Sequence, residues 1–150
     1  MPLAPLDRPM SNAVGSLGGR IDVSGTTLGL AVGDIVLIGL FVVAGELQHG
    51  YSLTAQPGRI VGTALPFVIG WVVASVLAGV YTPAVYRVPR SAAVRTALAW
   101  VGAALVGQAL RATALFHGDF ALAFVLVSLG VGLVLLVPWR VAVAALAGRS

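Results

Sequence analysis

The sequence predicts an all-α polytopic membrane protein: four transmembrane helices in a compact bundle, with both termini cytoplasmic. Three observations lead there. Of the 150 residues, 59% are hydrophobic and only 9% are charged, whereas a soluble globular domain carries roughly 25% charged residues. Mean hydropathy is +1.01, and nine arginines with five acids cannot clothe a water-facing surface. The apolar residues also fall into four blocks, each near the ~20 residues that a helix needs to cross the hydrocarbon layer. A soluble bundle is disfavoured, because four such helices leave no amphipathic shell. So is a membrane β-barrel, whose strands alternate polar with apolar residues; these blocks are apolar on every side. The chain has no cysteine, which excludes disulfides, thiolate nucleophiles and Cys-based metal sites.

The elements follow in order. Residues 1–26 are rich in Pro, Gly and Ser without periodicity and read as a flexible cytoplasmic tail rather than a signal peptide. The first span covers about 27–47 and stops at His49-Gly50, a helix C-terminus that the glycine caps and the histidine complements. A loop with the turn pair Pro57-Gly58 leads to the second span, about 60–81, which Pro66 should kink. A connection with Pro83, Pro89 and two arginines precedes the third span, about 92–116. The tight loop His117-Gly118-Asp119, with Asp119 as N-cap, then turns the chain into the fourth span, about 120–139. Residues 141–150 form a short apolar tail or an extension of that helix.

Arginine placement sets the orientation. The side holding both termini carries Arg8, Arg20, Arg87, Arg90, Arg95, Arg140 and Arg149; the other carries Arg59 and Arg111. The positive-inside rule puts the termini in the cytoplasm and the protein in the cytoplasmic membrane as a multi-pass chain. Tyr81 and Trp139-Arg140 read as anchors at the headgroup level. The net charge of +4 then needs no nucleic-acid partner, and no nucleic-acid-binding module is present.

Each span offers small residues for close helix contact: Gly29-x-x-x-Gly33, Gly70-x-x-x-Ala74-x-x-x-Ala78, Ala99-x-x-x-Ala103-x-x-x-Gly107 and Ser128-x-x-x-Gly132. Gly33, Pro66, Gly70, Trp71 and Gly107 are therefore the expected packing or kink residues.

Ionisable and polar side chains within spans are costly and raise a functional hypothesis. Asp34, Glu46, Arg95, Gln108 and Arg111 are the candidates for an intramembrane polar site or pathway. The first and third spans run in the same direction, which matches Asp34 in depth with Arg95, and Glu46 with Arg111. Asp34 and Glu46 are separated by about 120° around a helix, and Arg95 and Arg111 by about 160°, so both pairings together require tilt or long-arm reach. Ion pairs that only join helices, or snorkelling of Glu46 and Arg95 to the interface, are the competing readings. For Asp34 the competing reading is a neutral acid hydrogen-bonded to a neighbouring helix. At the outer face His49, Arg59, His117 and Asp119 gather beside Tyr51 and Glu46. Two histidines with two carboxylates can hold a divalent metal in principle, yet no H-x-x-x-H or E-x-x-H spacing occurs. No metal or cofactor is expected. Nucleophile, phosphate-loop and dinucleotide motifs are absent as well. His49-Gly50 and His117-Gly118, with Val88-Pro89-Arg90 and Val137-Pro138-Trp139-Arg140, echo one another as if two hairpins were alike.

Asp34, the run Gly45-Glu46-Leu47-Gln48-His49-Gly50, Pro66-Phe67-x-x-Gly70-Trp71, Trp100, Leu110-Arg111-Ala112-Thr113 and Trp139-Arg140 together resemble a family of small prokaryotic four-helix membrane proteins of unknown function. The resemblance spans about residues 29–140. It implies the four-helix membrane fold and no activity.

The leading expectation is a non-enzymatic helix bundle in the lipid bilayer, working as a homo-oligomer or as a subunit with other membrane proteins. The alternative is a small transporter or channel for an ion or small solute, using Asp34, Glu46, Gln108 and Arg111. A membrane metalloenzyme at the outer face ranks last.

Overall fold

The computed structural model describes residues 18–116 and 118–150. Their helices are α1 (Gly25–Gln48), α2 (Pro57–Ala78), the single turn α3 (Pro83–Tyr86), α4 (Pro89–Arg111) and α5 (Leu122–Ala147). All but α3 are long and apolar enough to cross a membrane. The chain starts α1 and finishes α5 at one end of the bundle, the terminal end. The 49–56 and 112–121 connections share the other, the loop end.

Local chemistry sets the helix bounds. Ser24 caps α1, accepting from the Thr27 amide at 3.3 Å, and Gly50 leaves the helix with φ +81°, as the His49-Gly50 stop predicts. Pro57 opens α2 instead of making a turn, because a first-turn residue needs no amide donor and proline's fixed φ suits it. That helix ends at Gly79, whose φ of +65° is left-handed, so the second span lies about three residues earlier than expected. Buried Pro66 sits inside it.

The third span is shorter than its hydropathy suggests. α4 stops at Arg111, where the Thr113 hydroxyl donates to the Leu110 carbonyl at 2.6 Å and competes with helix continuation. The expected three-residue turn is thereby a ten-residue connection, 112–121. Ala121, not Asp119, is the N-cap of α5, and Asp119 lies before the first turn, unable to cap it. α5 runs on through the apolar 141–147 stretch to Ala147, so that stretch is an extension of the helix rather than a tail.

Aromatic rings fill the middle of the bundle. Phe41 of α1, Phe67 and Trp71 of α2, Trp100 of α4 and Phe124 of α5 stack or meet edge-on at centroid distances of 5.7–6.3 Å. Such offset contacts add to plain burial. Small residues admit the rings: a methyl group on Gly33 would overlap Trp139, and one on Gly132 would overlap Trp100. On Gly70 it would overlap the Ala103 backbone, and on Gly107 it would lie 2.9 Å from Phe67. Gly33, Gly70, Gly107 and Gly132 of the close-packing faces thus meet other helices within the chain, whereas Gly29 has open space beside it. The outward side chains, Leu28, Val36, Leu65, Leu98, Leu126 and Val134 among them, are exposed and apolar, as a lipid-facing surface requires.

The described part of the N-terminal tail is tied down. Ile21 pairs with Tyr81 in an isolated parallel bridge, and the Asp22 amide donates to the Tyr81 carbonyl at 2.9 Å. Arg20 donates to the Leu77 carbonyl at 2.7 Å and the Tyr86 hydroxyl to Asp22 at 2.7 Å. Arg8 lies outside the described residues.

Candidate functional site

Polar groups concentrate at three depths. Nearest the terminal end, Asp34 of α1 and Arg140 of α5 form an ion pair that is 0% and 2% exposed. Arg140 donates through Nε to Asp34 Oδ1 at 2.9 Å and through Nη2 to Oδ2, and its Nη1 donates to the Val80 carbonyl at 3.1 Å. The Tyr81 hydroxyl donates to Asp34 at 2.7 Å and accepts from the Trp71 indole N–H at 3.0 Å. The guanidinium lies 4.7 Å from the Tyr81 ring centre. A fork-on-carboxylate pair in which each nitrogen and each carboxylate oxygen has a partner is the arrangement in which a buried ion pair holds.

This corrects two expectations. Asp34 is paired with Arg140, not Arg95; Arg95 is exposed and donates to the Ala78 carbonyl at 3.3 Å. Arg140 and Tyr81 are not interfacial anchors but core residues, because the helix continues seven residues beyond Arg140 and carries it below the surface. The apolar 141–147 run was the signal for that placement. Trp71, expected as a packing residue, also orients Tyr81.

In the middle layer, Gln108 donates to the Ser128 hydroxyl at 3.3 Å, and the Trp100 indole donates to the Ser128 carbonyl at 3.0 Å. Gln108 Oε1 and, far from it toward the terminal end of α4, the Thr96 hydroxyl are buried without a partner among the described residues. Among the described residues no hydrogen bond links Gln108 and Ser128 to the Asp34–Arg140 pair or to Glu46.

At the loop end, Glu46 is 7% exposed and pairs with Arg59 at 3.0 Å rather than with Arg111. Its other oxygen accepts from the Thr63 hydroxyl at 2.7 Å, and Arg59 covers the Tyr51 ring at 3.7 Å. Arg59 reaches Glu46 because α2 starts early, at Pro57, and brings residue 59 beside the last turn of α1. Arg111 instead lies over the Phe124 ring at 4.2 Å. The backbone of Gly118 closes on its Nη2–Nε side, where an added methyl would lie 2.8 Å from Nη2 and 3.0 Å from Nε. Its Nε and Nη1 groups are shut off from solvent and have no acceptor among the described residues.

Beside Arg111 opens a pocket of about 550 Å³ between the C-terminal half of α1 and the N-terminal turn of α5. Phe41, Val42, Phe124 and Val127 give it apolar walls; Glu46, Thr63, His49 and Asp119 give it a polar rim. Of the expected outer-face cluster, His49 and Asp119 share this pocket, and Arg59 lines a second hollow with Tyr51. His117 lies outside the described residues. Among the described residues no three His, Asp or Glu side chains converge as a metal site. Phe41, Phe124 and Thr63 had no sequence signature beyond apolarity or a hydroxyl on a helix.

No curated protein matches the chain, and no solved structure does. A family profile described as "Protein of unknown function (DUF3054)" matches residues 31–143, a stretch that holds the buried ion pair, the aromatic layer and the pocket. The chain belongs to the DUF3054 family of proteins of unknown function.

Proposed function

We propose that the protein carries a small solute across the membrane, with the loop-end pocket as its substrate site and the Asp34–Arg140 pair as the closed gate beneath. The observation behind this reading is the one-ended shape of the cavity. The 550 Å³ pocket opens at the loop end and ends on packed aromatic rings. Farther down, an ion pair satisfied on all sides and the 18–24 segment tied to Tyr81 close the terminal end. Binding in the membrane alone needs a pocket but no gate, and a constant pore needs no aromatic plug. A site open at one end and sealed at the other suits alternating access. With the termini in the cytoplasm, the pocket faces outward. Four helices are few for such a cycle, so the carrier works as an oligomer; Gly58 and Gly62, one turn apart on α2 with open space beside them, favour helix association there. No enzymatic step is part of this proposal.

The test is flux in proteoliposomes. Purified protein is expected to move protons, an inorganic ion or a small organic acid faster than empty liposomes. Asp34→Asn is expected to abolish that flux, and so is Asp34→Leu combined with Arg140→Met, which removes both charges and keeps the protein folded in detergent. Liposomes that match empty ones across all these solutes overturn the proposal.

A further inference from the structure

We infer that the loop-end pocket takes an amphipathic anion, a molecule with one carboxylate or phosphate group on an apolar tail or ring. This substrate class rests on the reading above that the pocket is a substrate site. Arg111 supplies the charge. Both carboxylate oxygens of Glu46 are engaged by Arg59 and Thr63, so Glu46 does not answer Arg111, and no acid forms an ion pair with Arg111 among the described residues. Phe124 covers one face of the guanidinium and the Gly118 backbone closes on its Nη2–Nε side, which fixes the cation at the pocket wall. Two of the edge N–H groups, Nε and Nη1, are cut off from water with their hydrogen bonds unmade. Buried donors without acceptors are rare and costly, and an oxyanion seated on the guanidinium supplies a charge-assisted acceptor that the described residues do not.

The rest of the pocket suits an apolar body. Phe41 lies seven residues deeper along α1 than Gln48 at the rim, about 10 Å at 1.5 Å per residue. Between these levels the walls are Phe41, Val42, Phe124 and Val127. A ligand placed with its charge at Arg111 therefore lays its remainder against hydrocarbon. The carboxylates of Glu46 and Asp119 flank the cation and disfavour a second negative charge on the ligand. α1 and α5 touch at Gly33 and Trp139 and leave the pocket between them at the loop end, so the site is reached between two helices. The ligand comes either from the bilayer, as a lipid with an anionic headgroup, or from water, as a soluble organic acid.

The test uses the full chain in phosphatidylcholine nanodiscs, with tryptophan fluorescence and thermal unfolding as readouts. The probes are dodecanoate, dodecyl phosphate, dodecanol, benzoate, inorganic phosphate and added phosphatidylglycerol. Dodecanoate and dodecyl phosphate are expected to bind at least about tenfold more tightly than dodecanol, the scale of one charge-assisted hydrogen bond. Arg111→Gln is expected to erase that preference, and Arg111→Lys, which keeps the charge but loses the fork, to retain part of it. Ala123→Trp fills the pocket while keeping Arg111 in the sequence and is expected to abolish binding, which keeps the test decisive if Arg111→Gln does not fold. Binding of phosphatidylglycerol without benzoate assigns the site to a lipid; binding of benzoate assigns it to a soluble acid. Equal affinity for dodecanol and dodecanoate, unchanged binding in Arg111→Gln, or inorganic phosphate binding as tightly as dodecyl phosphate overturns the inference. Arg111-dependent binding without any flux leaves the ligand class standing and defeats transport; proton or inorganic-ion flux without dodecanoate binding does the reverse.

Discussion

At the scale of single residues, the Asp34–Arg140 pair sets the largest expected effect. Removing two charges from water costs several kcal/mol for each ion, and their attraction offsets this only when both sides are fully hydrogen-bonded. Arg140→Met leaves a buried carboxylate without its partner and is expected to lower stability by about 3–5 kcal/mol in detergent unfolding. Asp34→Leu combined with Arg140→Met replaces both charges by apolar groups and is expected to recover most of that loss. If the double variant is no more stable than the single one, the pair is not the source of the effect. A second contrast lies on α5. A methyl on Gly132 overlaps the Trp100 indole, whereas one on Gly130 meets nothing within 4 Å. Gly132→Ala is expected to destabilise by about 1–3 kcal/mol through overpacking. Gly130→Ala is expected to be neutral or to stabilise by up to about 1 kcal/mol, because alanine is the better helix former. Of these residues Asp34 and Gly132 were legible in the sequence, one by its charge within an apolar block, the other by its four-residue spacing from Ser128. The partner of Asp34 was not. Arg140 follows a tryptophan at an apparent span boundary, where an anchor and a buried partner have the same one-dimensional pattern.

At the scale of elements, the segment before α1 shows what hydropathy cannot register. A stretch rich in Gly and Ser carries no periodicity, yet residues 20–22 are held through backbone pairing with Tyr81 and two side-chain bonds. The Tyr86 hydroxyl, followed by Ser24, keeps the Asp22 carboxyl below its ordinary 3.8, and the same bond pushes the Tyr86 phenol up. A depressed folded-state value means that this attachment is at full strength above the ordinary carboxylate range and is lost as pH falls through the lower folded value. Hydrogen exchange of the Asp22 amide, corrected for its intrinsic rate, is expected to show weakening protection as the solution is acidified below 3.8. Tyr86→Phe is expected to lower the protection at neutral pH and to remove its dependence on acid; an unchanged profile in that variant would show that the hydroxyl does not hold the segment. Helix ends tell the same story. Apolarity continues past Arg111 in Ala112, Ala114, Leu115 and Phe116, so composition alone extends the third span. The threonine that bonds back to Leu110 is a local competitor that a window average dilutes.

At the scale of the whole molecule, the four-helix plan was readable because a lipid solvent demands long uninterrupted apolar runs, and nothing else in the chain imitates them. The pocket was not readable. It arises from the divergence of α1 and α5, which touch at Gly33 and Trp139 but leave about 550 Å³ between them at the loop end. Such a void depends on three-dimensional splay, and its lining comes from every spanning helix. The absence of native cysteine makes the layout testable. A single cysteine at Ala123, on the pocket wall, is expected to react with a membrane-impermeant maleimide from one side of sealed vesicles only. A cysteine at Ser128, which is 0% exposed, is expected to stay unlabelled from either side. Labelling of Ser128→Cys at the rate of Ala123→Cys would mean that the aromatic layer does not seal the bundle.

The bond between Asp34 and Arg140 joins residues 106 positions apart, and this separation has a consequence for how the chain is made. At translation rates of ~5–20 residues per second, the acid emerges roughly 5–20 s before its guanidinium exists. During that interval the Tyr81 hydroxyl is the acid's available partner, and only arrival of the last helix supplies its counter-charge. A nascent chain that terminates early keeps Asp34 without a counter-charge, a chemical difference between the unfinished molecule and the finished one.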